Sequence, residues 1–285
     1  MSDEPARPLT APAPVSELSP AAPRGAWQPF TFRGVAALAR APYGRLFVVQ
    51  FLTALLVAAS VVWFLGRCYV PVITQAAQKL PEAAGITNGF LTGFKELEIS
   101  ETKFLSIAFT ADPEAELDRS ADVQVAFRDD RWVVSSLLSS ELGSLELPYG
   151  PDNHWDLSRA QLEPLWGAWR PVLLVGVGFA VILWLLLLWL ALAVVYAPAA
   201  KLVAWLFDRE LTWAGSWRLA AAALLPGAVM VALALWLYGC QILDVFGLGW
   251  LEIVHLLVGW VYLLAAPIFA PRLTSEPMKA NPFTA

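Results

Sequence analysis

Charged side chains are scarce in this chain of 285 residues. Asp, Glu, Lys and Arg make up 15% of the sequence, whereas soluble domains carry roughly 25%. No charged residue occurs from position 171 to position 200, and nearly every side chain in that run is apolar. Soluble domains seldom contain a helix that is apolar on all sides for this length, but about 20 such residues cross a bilayer. The shortage of charge therefore excludes an ordinary soluble protein and predicts an integral membrane protein.

Residue types that usually carry chemistry are also few. The chain has two cysteines and two histidines, and they do not follow the spacing of metal ligands. The sequence lacks a Gly-x-Ser-x-Gly motif, a phosphate-binding loop and a dinucleotide-binding fingerprint. It also lacks the clustered positive charge of a nucleic-acid-binding surface. We therefore predict no catalytic residues, no metal, no cofactor and no nucleic-acid partner.

The charge that is present is concentrated in the middle of the chain. Residues 71–170 hold 16 acidic and 8 basic residues, a net charge of −8, whereas the whole chain has −5. An acidic middle between charge-poor flanks predicts a water-exposed domain between membrane segments. Residues 1–29 are rich in proline and have no apolar core, which predicts a disordered cytoplasmic tail and no signal peptide.

Four apolar segments are long enough to cross a bilayer. These predicted spans one to four are 46–66, 171–197, 218–239 and 249–271. Pro226 lies inside span three, where lipid and neighbouring helices tolerate it, and it predicts a kink. The remaining segments are predicted as an interfacial amphipathic stretch at 30–45, a cytoplasmic interfacial loop or helix at 198–217, a short outer loop at 240–248 and a cytoplasmic tail at 272–285.

Basic residues near the span ends predict the orientation of the chain. With four spans, the basic residues of the short loops and tails all fall on one side: Arg33, Arg40, Arg45, Lys201, Arg209, Arg218, Arg272 and Lys279. This places both termini in the cytoplasm and residues 67–170 on the outer side of the membrane. The predicted fold is an α-helical integral membrane protein with four transmembrane helices and a small α+β extracytoplasmic domain inserted between helices one and two.

Short alternating runs in the inserted domain predict β-strands. They are Phe94–Ile99, Phe104–Thr110, Val123–Phe127 and Trp132–Ser135, with a further strand in SLELPYG. The third and fourth runs form a predicted hairpin across Asp129 and Asp130, with Val123, Val125 and Phe127 on one face. Helical patterns at 71–83 and after Asp156 would connect the domain to spans one and two.

The order of these parts resembles that of a known family. LPEAAGITNGFL follows span one, KFLSIAFTAD and VQVAFRDDRWVVS lie in the domain, and LTWAGSWRLAAAALLP opens the closing spans. These segments resemble an uncharacterised family of bacterial polytopic membrane proteins, known as a domain of unknown function, some of whose members are described as maltodextrin-utilisation membrane proteins. The closing spans are also similar to the wider Yip1-type membrane fold. The resemblance implies an architecture for most of residues 30–272 and no catalytic residues.

One group of polar residues is a candidate site at the outer membrane face. Glu252 and His255 are three residues apart, which places them on the same face of a helix, near the predicted outer start of span four. Asp244, Gln241 and Arg67 are the nearest residues that could complete the site. The alternative is a structural role, in which Glu252 and His255 form a shallow polar pair within the helix bundle.

Two cysteines fall at the predicted outer face, after spans one and three. There, Cys68 and Cys240 could form a disulfide bond that joins the two spans. The alternative is a pair of free thiols that pack as small apolar groups.

Three functions remain open at this stage. The first is a non-enzymatic accessory, sensing or scaffold protein whose outer domain binds a partner or ligand, assisting transport or envelope assembly. The second is an oligomeric transporter or channel component, and the third is a membrane enzyme that uses the outer-face polar site. The expected partners are the lipid bilayer, which the family resemblance implies is a bacterial inner membrane, and either a membrane protein or further copies of the chain. Gly176 and Gly178 offer a small-residue surface for packing within the bundle, with homo-dimerisation as the alternative.

Overall fold

The computed structural model describes residues 28–94, 98–110, 121–137, 144–151 and 154–272. Within this part of the chain, four helical stretches are long and apolar enough to span a membrane. They are Tyr43–Lys79, Arg159–Leu206, Trp213–Gly239 and Val245–Phe269. A small β region lies between the first two stretches. The prediction of four long apolar helices with a small sheet region between the first two is confirmed.

The first stretch consists of three consecutive helical segments. Helix α2 covers Tyr43–Phe64, a single π-helical turn covers Leu65–Tyr69, and helix α3 covers Val70–Lys79. The helix therefore continues past the predicted end of span one. A π turn contains an extra residue, which changes the direction of the side chains that follow it.

Helix α4 is longer than predicted span two. It covers Arg159–Leu206, 48 residues, and contains Pro164, Pro171 and Pro198. It includes the helical pattern after Asp156 and much of the predicted interfacial segment 198–217. Proline removes one backbone hydrogen bond, but here it does not end the helix, because neighbouring groups can satisfy the freed carbonyl.

The third stretch is broken near its middle. Helix α5 covers Trp213–Ala223, helix α6 covers Leu225–Gly239, and Pro226 lies in the first turn of α6. Proline suits this position, because a first-turn residue has no intrahelical N–H bond to lose. The kink predicted at Pro226 therefore takes the form of a break at Leu224. Helix α7 covers Val245–Ala265, and a 3₁₀ turn follows at Ala266–Phe269.

Part of the segment predicted to lie along the membrane surface packs against the long helices. Helix α1 covers Phe32–Leu38, and Val35 and Leu38 are fully buried in the cluster that α4 and α5 also form. Its central residues are apolar or small on every side, so one face in water would leave apolar groups exposed. Gly34 is required, because a Cβ there would lie 1.8 Å from the carbonyl oxygen of Gln28.

Basic residues fasten the connecting segments at this end of the bundle. Arg218 Nη1 donates to the carbonyl of Ala41 at 2.8 Å, and Arg209 Nη1 donates to that of Ala270 at 2.9 Å. Lys201 Nζ donates to the carbonyl of Leu211. These three basic residues, which also predict the orientation, thus hold the connecting segments together by hydrogen bonds. The N-terminal segment and the last described residues of the chain meet at this end of the bundle.

Eight short strands form two sheets at the opposite end. Strands β1 to β8 cover Gly85–Thr87, Phe90–Thr92, Glu98–Glu101, Leu105–Phe109, Val123–Phe127, Arg131–Ser136, Leu145–Pro148 and Trp155–Asp156. The small sheet has the order β2-β1-β8, and the larger one has the order β3-β4-β5-β6-β7. The predicted hairpin of β5 and β6 is present, with Phe127 opposite Trp132, but β4 and β5 are parallel.

Three details of the sheet region bear on the predictions. Strand β3 covers Glu98–Glu101, and residues 95–97 of the run predicted from Phe94 to Ile99 lie outside the described residues. In β5, Gln124 and Ala126 are the buried residues, while the apolar residues on either side of them are only half-buried. Both faces of this strand are partly covered, so alternation alone does not identify the inner face. The turn between β1 and β2 has Asn88 and Gly89 at positive φ, as a tight hairpin requires.

The sheet region and the helices share one aromatic contact surface. Three aromatic rings pack together, with 5.0 to 5.6 Å between their centres: Phe64, Phe104 and Tyr238. Behind them, the hydroxyl of Tyr238 donates to Oδ2 of Asp122 at 2.7 Å, with both residues buried. This contact holds the start of β5 against the end of α6.

Candidate functional site

The structure divides the polar site predicted from the sequence into three parts. Asp244 is the N-cap of α7, and its Oδ1 accepts a hydrogen bond from the backbone N–H of Gly247 at 2.7 Å. An aspartate in this position stabilises the helix start. It starts the helix at Val245, before predicted span four, and this role accounts for Asp244 without any part in a site.

The early start of α7 changes the position of Glu252 and His255. His255 lies near the middle of a 21-residue helix, further from the helix start than in predicted span four. Glu252 Oε2 lies 3.2 Å from His255 Nδ1, although the angle is not that of a hydrogen bond and Nδ1 is buried without a partner. The pair lies against α6, where a Cβ on Gly227 would be 2.7 Å from the carbonyl oxygen of His255.

Arg67 and Gln241 line a separate pocket of about 500 Å³, which we call the Arg67 pocket. It lies where the π turn, the loop between β3 and β4, and the end of α6 meet. Its lining residues are Arg67, Cys68, Thr102, Phe104, Gly239, Cys240 and Gln241. Neither Glu252 nor His255 lines it, so the five residues proposed from the sequence do not form one site.

Both cysteines line the Arg67 pocket as free thiols. Cys68 is buried, with its Sγ 4.0 Å from the carbonyl oxygen of Gly239, while Cys240 is exposed. The structure therefore has the free-thiol alternative and not the disulfide bond. The sequence correctly suggested that the two cysteines lie at the same end of the bundle.

A second cavity of about 480 Å³ lies between the sheet and the helices, and we call it the apolar groove. Helix α3 and the first turns of α4 form two walls, and strands β4 and β5 form the third. Its lining residues are Ile73, Ala76, Ala77, Leu80, Ile107, Phe109, Phe127, Leu162, Leu165, Trp166, Trp169 and Leu173. The indole N–H of Trp166 is not available to a ligand in the groove, because it donates a hydrogen bond to Thr74 Oγ1 at 2.9 Å.

The apolar groove was not predicted, although a signal for it exists in the sequence. Its α4 wall consists of residues at helical spacing, from Leu162 through Trp166 to Leu173, and its α3 wall repeats that spacing from Ile73 to Leu80. Two apolar stripes on successive helices indicate surfaces that can face a common space. The spacing does not reveal whether the stripes meet each other or leave a gap.

A solvent-exposed group of three charged side chains lies on the sheet region. Arg131 donates to Asp130 at 2.7 Å and to Glu146 at 2.9 Å, with all three side chains nearly half exposed. The hydrogen bonds from Arg131 lower the pKa of Asp130. Exposed pairs of this kind contribute little to stability. Among the described residues, no group of three His, Cys, Asp or Glu side chains could hold a metal ion.

The fold thus defines a mostly helical protein with four helices long and apolar enough to span a membrane, and a small sheet region at one end. No family model, curated protein or solved structure matches the chain. A proposal about function therefore depends on the two cavities and on the polar pair of α7.

Proposed function

We propose that this chain is a non-enzymatic accessory or sensor protein of the bacterial inner membrane, with its sheet region outside the cytoplasm. In this proposal, the apolar groove binds the alkyl chain of a membrane lipid. The observation that carries it is the continuity of the groove with the apolar surface of α4. At Leu173 the groove meets exposed apolar side chains such as Val172 and Val175.

The surface of α4 supports membrane insertion. Val175, Phe179 and Val195 are each more than 60% exposed, and the helix is apolar along most of its length. Soluble proteins seldom expose contiguous apolar patches of this extent to water. In a membrane, the same side chains would contact lipid chains and not water. The basic residues gathered at the end opposite the sheet region favour a cytoplasmic location for both termini.

The shape and the walls of the groove favour an alkyl chain. From Leu162 to Leu173 it extends about 16 Å along α4, at the usual rise of a helix. Its walls are apolar, so a sugar or a peptide would bury polar groups without partners. An alkyl chain has no such groups, so it can pass from the bilayer core into the groove without leaving polar groups unpaired. The groove therefore gives no support to the sugar association that the family resemblance suggests.

Photo-crosslinking tests the occupant. The full-length protein would be placed in lipid nanodiscs containing a phospholipid with a diazirine in its acyl chain, irradiated and digested. We expect labelled peptides from residues 73–80 and 162–173. Ala77→Phe fills the groove and should reduce this labelling several-fold, while labelling elsewhere on α4 is retained.

The matched control is Val195→Phe, which adds the same ring to the exposed surface of α4 away from the groove. It should leave the labelling of residues 73–80 unchanged. Uniform labelling of all exposed helix surfaces, with no effect of Ala77→Phe, would show that the groove is only part of the general lipid boundary.

A cysteine-accessibility experiment tests the orientation. In a variant with Cys68→Ala and Cys240→Ala, a single cysteine is introduced by Ser144→Cys or by Asn281→Cys. A membrane-impermeant maleimide should label position 144 in intact cells and position 281 only after the membrane is opened. The reverse pattern would place the sheet region in the cytoplasm and remove this part of the proposal.

The Glu252–His255 pair favours a second function, an oligomeric transporter or channel component. Ionisable residues in the middle of an apolar helix commonly mark an ion or proton path. If this function is correct, reconstituted protein conducts ions across liposomes, and Glu252→Gln and His255→Ala abolish conductance at normal abundance. Unchanged conductance, or an equal loss of abundance, would assign the pair a structural role.

A further inference from the structure

We infer that the Arg67 pocket binds a phosphate group. The pocket is separate from the apolar groove: it shares no lining residue with it and involves the π turn and the end of α6. The inference therefore stands independently of the proposed alkyl-chain function. It rests on the charge of the pocket, on donors without partners and on the backbone at Gln241.

The charge of the pocket favours an anion. Among the described residues that line it, Arg67 is the one with a charge. The nearby carboxylate of Asp122 is buried behind the aromatic cluster, where it accepts from the hydroxyl of Tyr238. A planar guanidinium presents two parallel N–H groups that match the oxygens of a phosphate.

Two polar side chains that line the pocket, both exposed to solvent, make no hydrogen bond or ion pair in the described part of the chain. The guanidinium of Arg67 lies 6.0 Å from the ring centre of Trp63, and it makes no hydrogen bond or ion pair with a described residue. The side-chain amide of Gln241 likewise makes no hydrogen bond with any of these residues. By contrast, the hydroxyl of Thr102 already donates to the carbonyl of Leu105 at 3.5 Å. Arg67 and Gln241 are thus the donors that remain for a ligand.

The backbone on both sides of the pocket is unusual. Arg67 lies in the π turn, a feature that occurs frequently at functional sites. Gln241 follows the end of α6 and has a φ of 61°. This conformation is unfavourable for residues other than glycine and asparagine. Glycine is the usual residue at this point after a helix. A glutamine there keeps a side chain at some conformational cost, and that side chain lines the pocket.

Binding measurements on the full-length protein test the inference. Two phosphate sources are offered: inorganic phosphate to protein in detergent, measured by calorimetry, and phospholipid retained by the protein, measured by native mass spectrometry. The wild-type protein should bind at least one source. Arg67→Gln should weaken that binding about tenfold or more, the loss expected for a charge-assisted hydrogen bond. Arg67→Lys should restore part of it, because lysine keeps the charge without the planar fork.

Two further variants separate binding from folding. Gln241→Gly suits the backbone conformation and should preserve the thermal unfolding midpoint while weakening binding several-fold. Arg170→Gln removes the same charge from an exposed position at the start of the apolar run and should bind like the wild type. Retention of phospholipid without binding of inorganic phosphate identifies the lipid headgroup as the source, and binding of inorganic phosphate identifies the free anion.

The inference is overturned by any of three results. The first is that the wild type binds neither source. The second is that Arg67→Gln and Gln241→Gly bind as the wild type does. The third is that Arg170→Gln weakens binding as much as Arg67→Gln, which would reflect general surface charge.

Discussion

Single side chains at the junction decide how the sheet region meets the helices. The hydroxyl of Tyr238 and the carboxylate of Asp122 are buried together, 2.7 Å apart. A buried acceptor that loses its donor costs free energy, because water cannot replace the missing hydrogen bond. The pair therefore ties the position of β5 to the end of α6 more strongly than an exposed pair would.

We predict that Tyr238→Phe lowers the free energy of unfolding by about 1–3 kcal/mol, since the carboxylate of Asp122 is left without its donor. The measurement is the thermal unfolding midpoint of the purified protein in detergent, followed by near-ultraviolet circular dichroism. Tyr43→Phe makes the same chemical change at an exposed ring and should have almost no effect. Equal shifts for the two variants would contradict the prediction.

Tyr149 makes the stability of the sheet region depend on pH in the alkaline range. Its hydroxyl donates to the carbonyl of Arg128 at 3.1 Å, and burial, followed by the charges of Asp130 and Asp129, raises its pKa. In the unfolded chain, a tyrosine has a pKa of about 10. The folded state keeps the proton longer, so the stabilisation is complete below about pH 10 and is lost as pH rises through the folded pKa.

The prediction is that the unfolding free energy of the wild type falls between about pH 10 and 12 more steeply than that of Tyr149→Phe. Denaturation curves at several pH values, with the signal taken from the sheet region, provide the measurement. Parallel pH profiles for the two proteins would show that Tyr149 does not account for the sensitivity.

At the scale of elements, the π turn sets the direction of everything that follows it in the first long helix. The extra residue at Leu65–Tyr69 rotates α3 relative to α2, and α3 then faces the sheet and the start of α4. The hydrogen bond between Trp166 Nε1 and Thr74 Oγ1 depends on this direction. One wall of the apolar groove depends on it as well.

We predict that deletion of Gly66 converts the π turn to an α turn and rotates α3 by about 100° relative to α2, the angle of one residue in an α-helix. The sheet region should then become sensitive to limited proteolysis while the helical circular dichroism is retained. Gly66→Ala is the matched control, because a Cβ at that position meets no atom within 4 Å. A deletion variant as resistant as the control would show that the turn is not required for docking.

At the scale of the whole molecule, the sheet region shares its core with the long helices. The cluster beneath the sheet contains Phe94 and Phe109 from the region itself, but also Ala76 and Leu80 from helix α3 and its end, with Leu162 of α4 packed against it. The stacked rings of Phe94 and Phe109 face these helices. The two long helices thus supply part of the surface that a small sheet needs in order to be stable.

We predict that residues 81–158, produced alone, do not unfold cooperatively and show poor amide dispersion in NMR spectra, because the helical part of their core is missing. A longer fragment, residues 67–173, should fold better in mild detergent, since it includes both helix walls. Cooperative unfolding of the short fragment would show that the sheet region is an independent domain.

Composition and hydropathy were sufficient to predict the long apolar helices and the region between the first two, because apolar run length and charge distribution are properties of the sequence itself. The Asn88-Gly89 turn, the hairpin of β5 and β6 and the break near Pro226 were also predictable, since each depends on a few adjacent residues. Tertiary contacts decided the rest. They buried α1 within the bundle, carried α4 through three prolines and paired β4 with β5 in parallel. They also left a gap between two apolar stripes and placed Glu252 and His255 in the middle of α7. Finally, they brought Arg67 beside Gln241. These two residues are far apart in the sequence, so their proximity depends on how the helices pack.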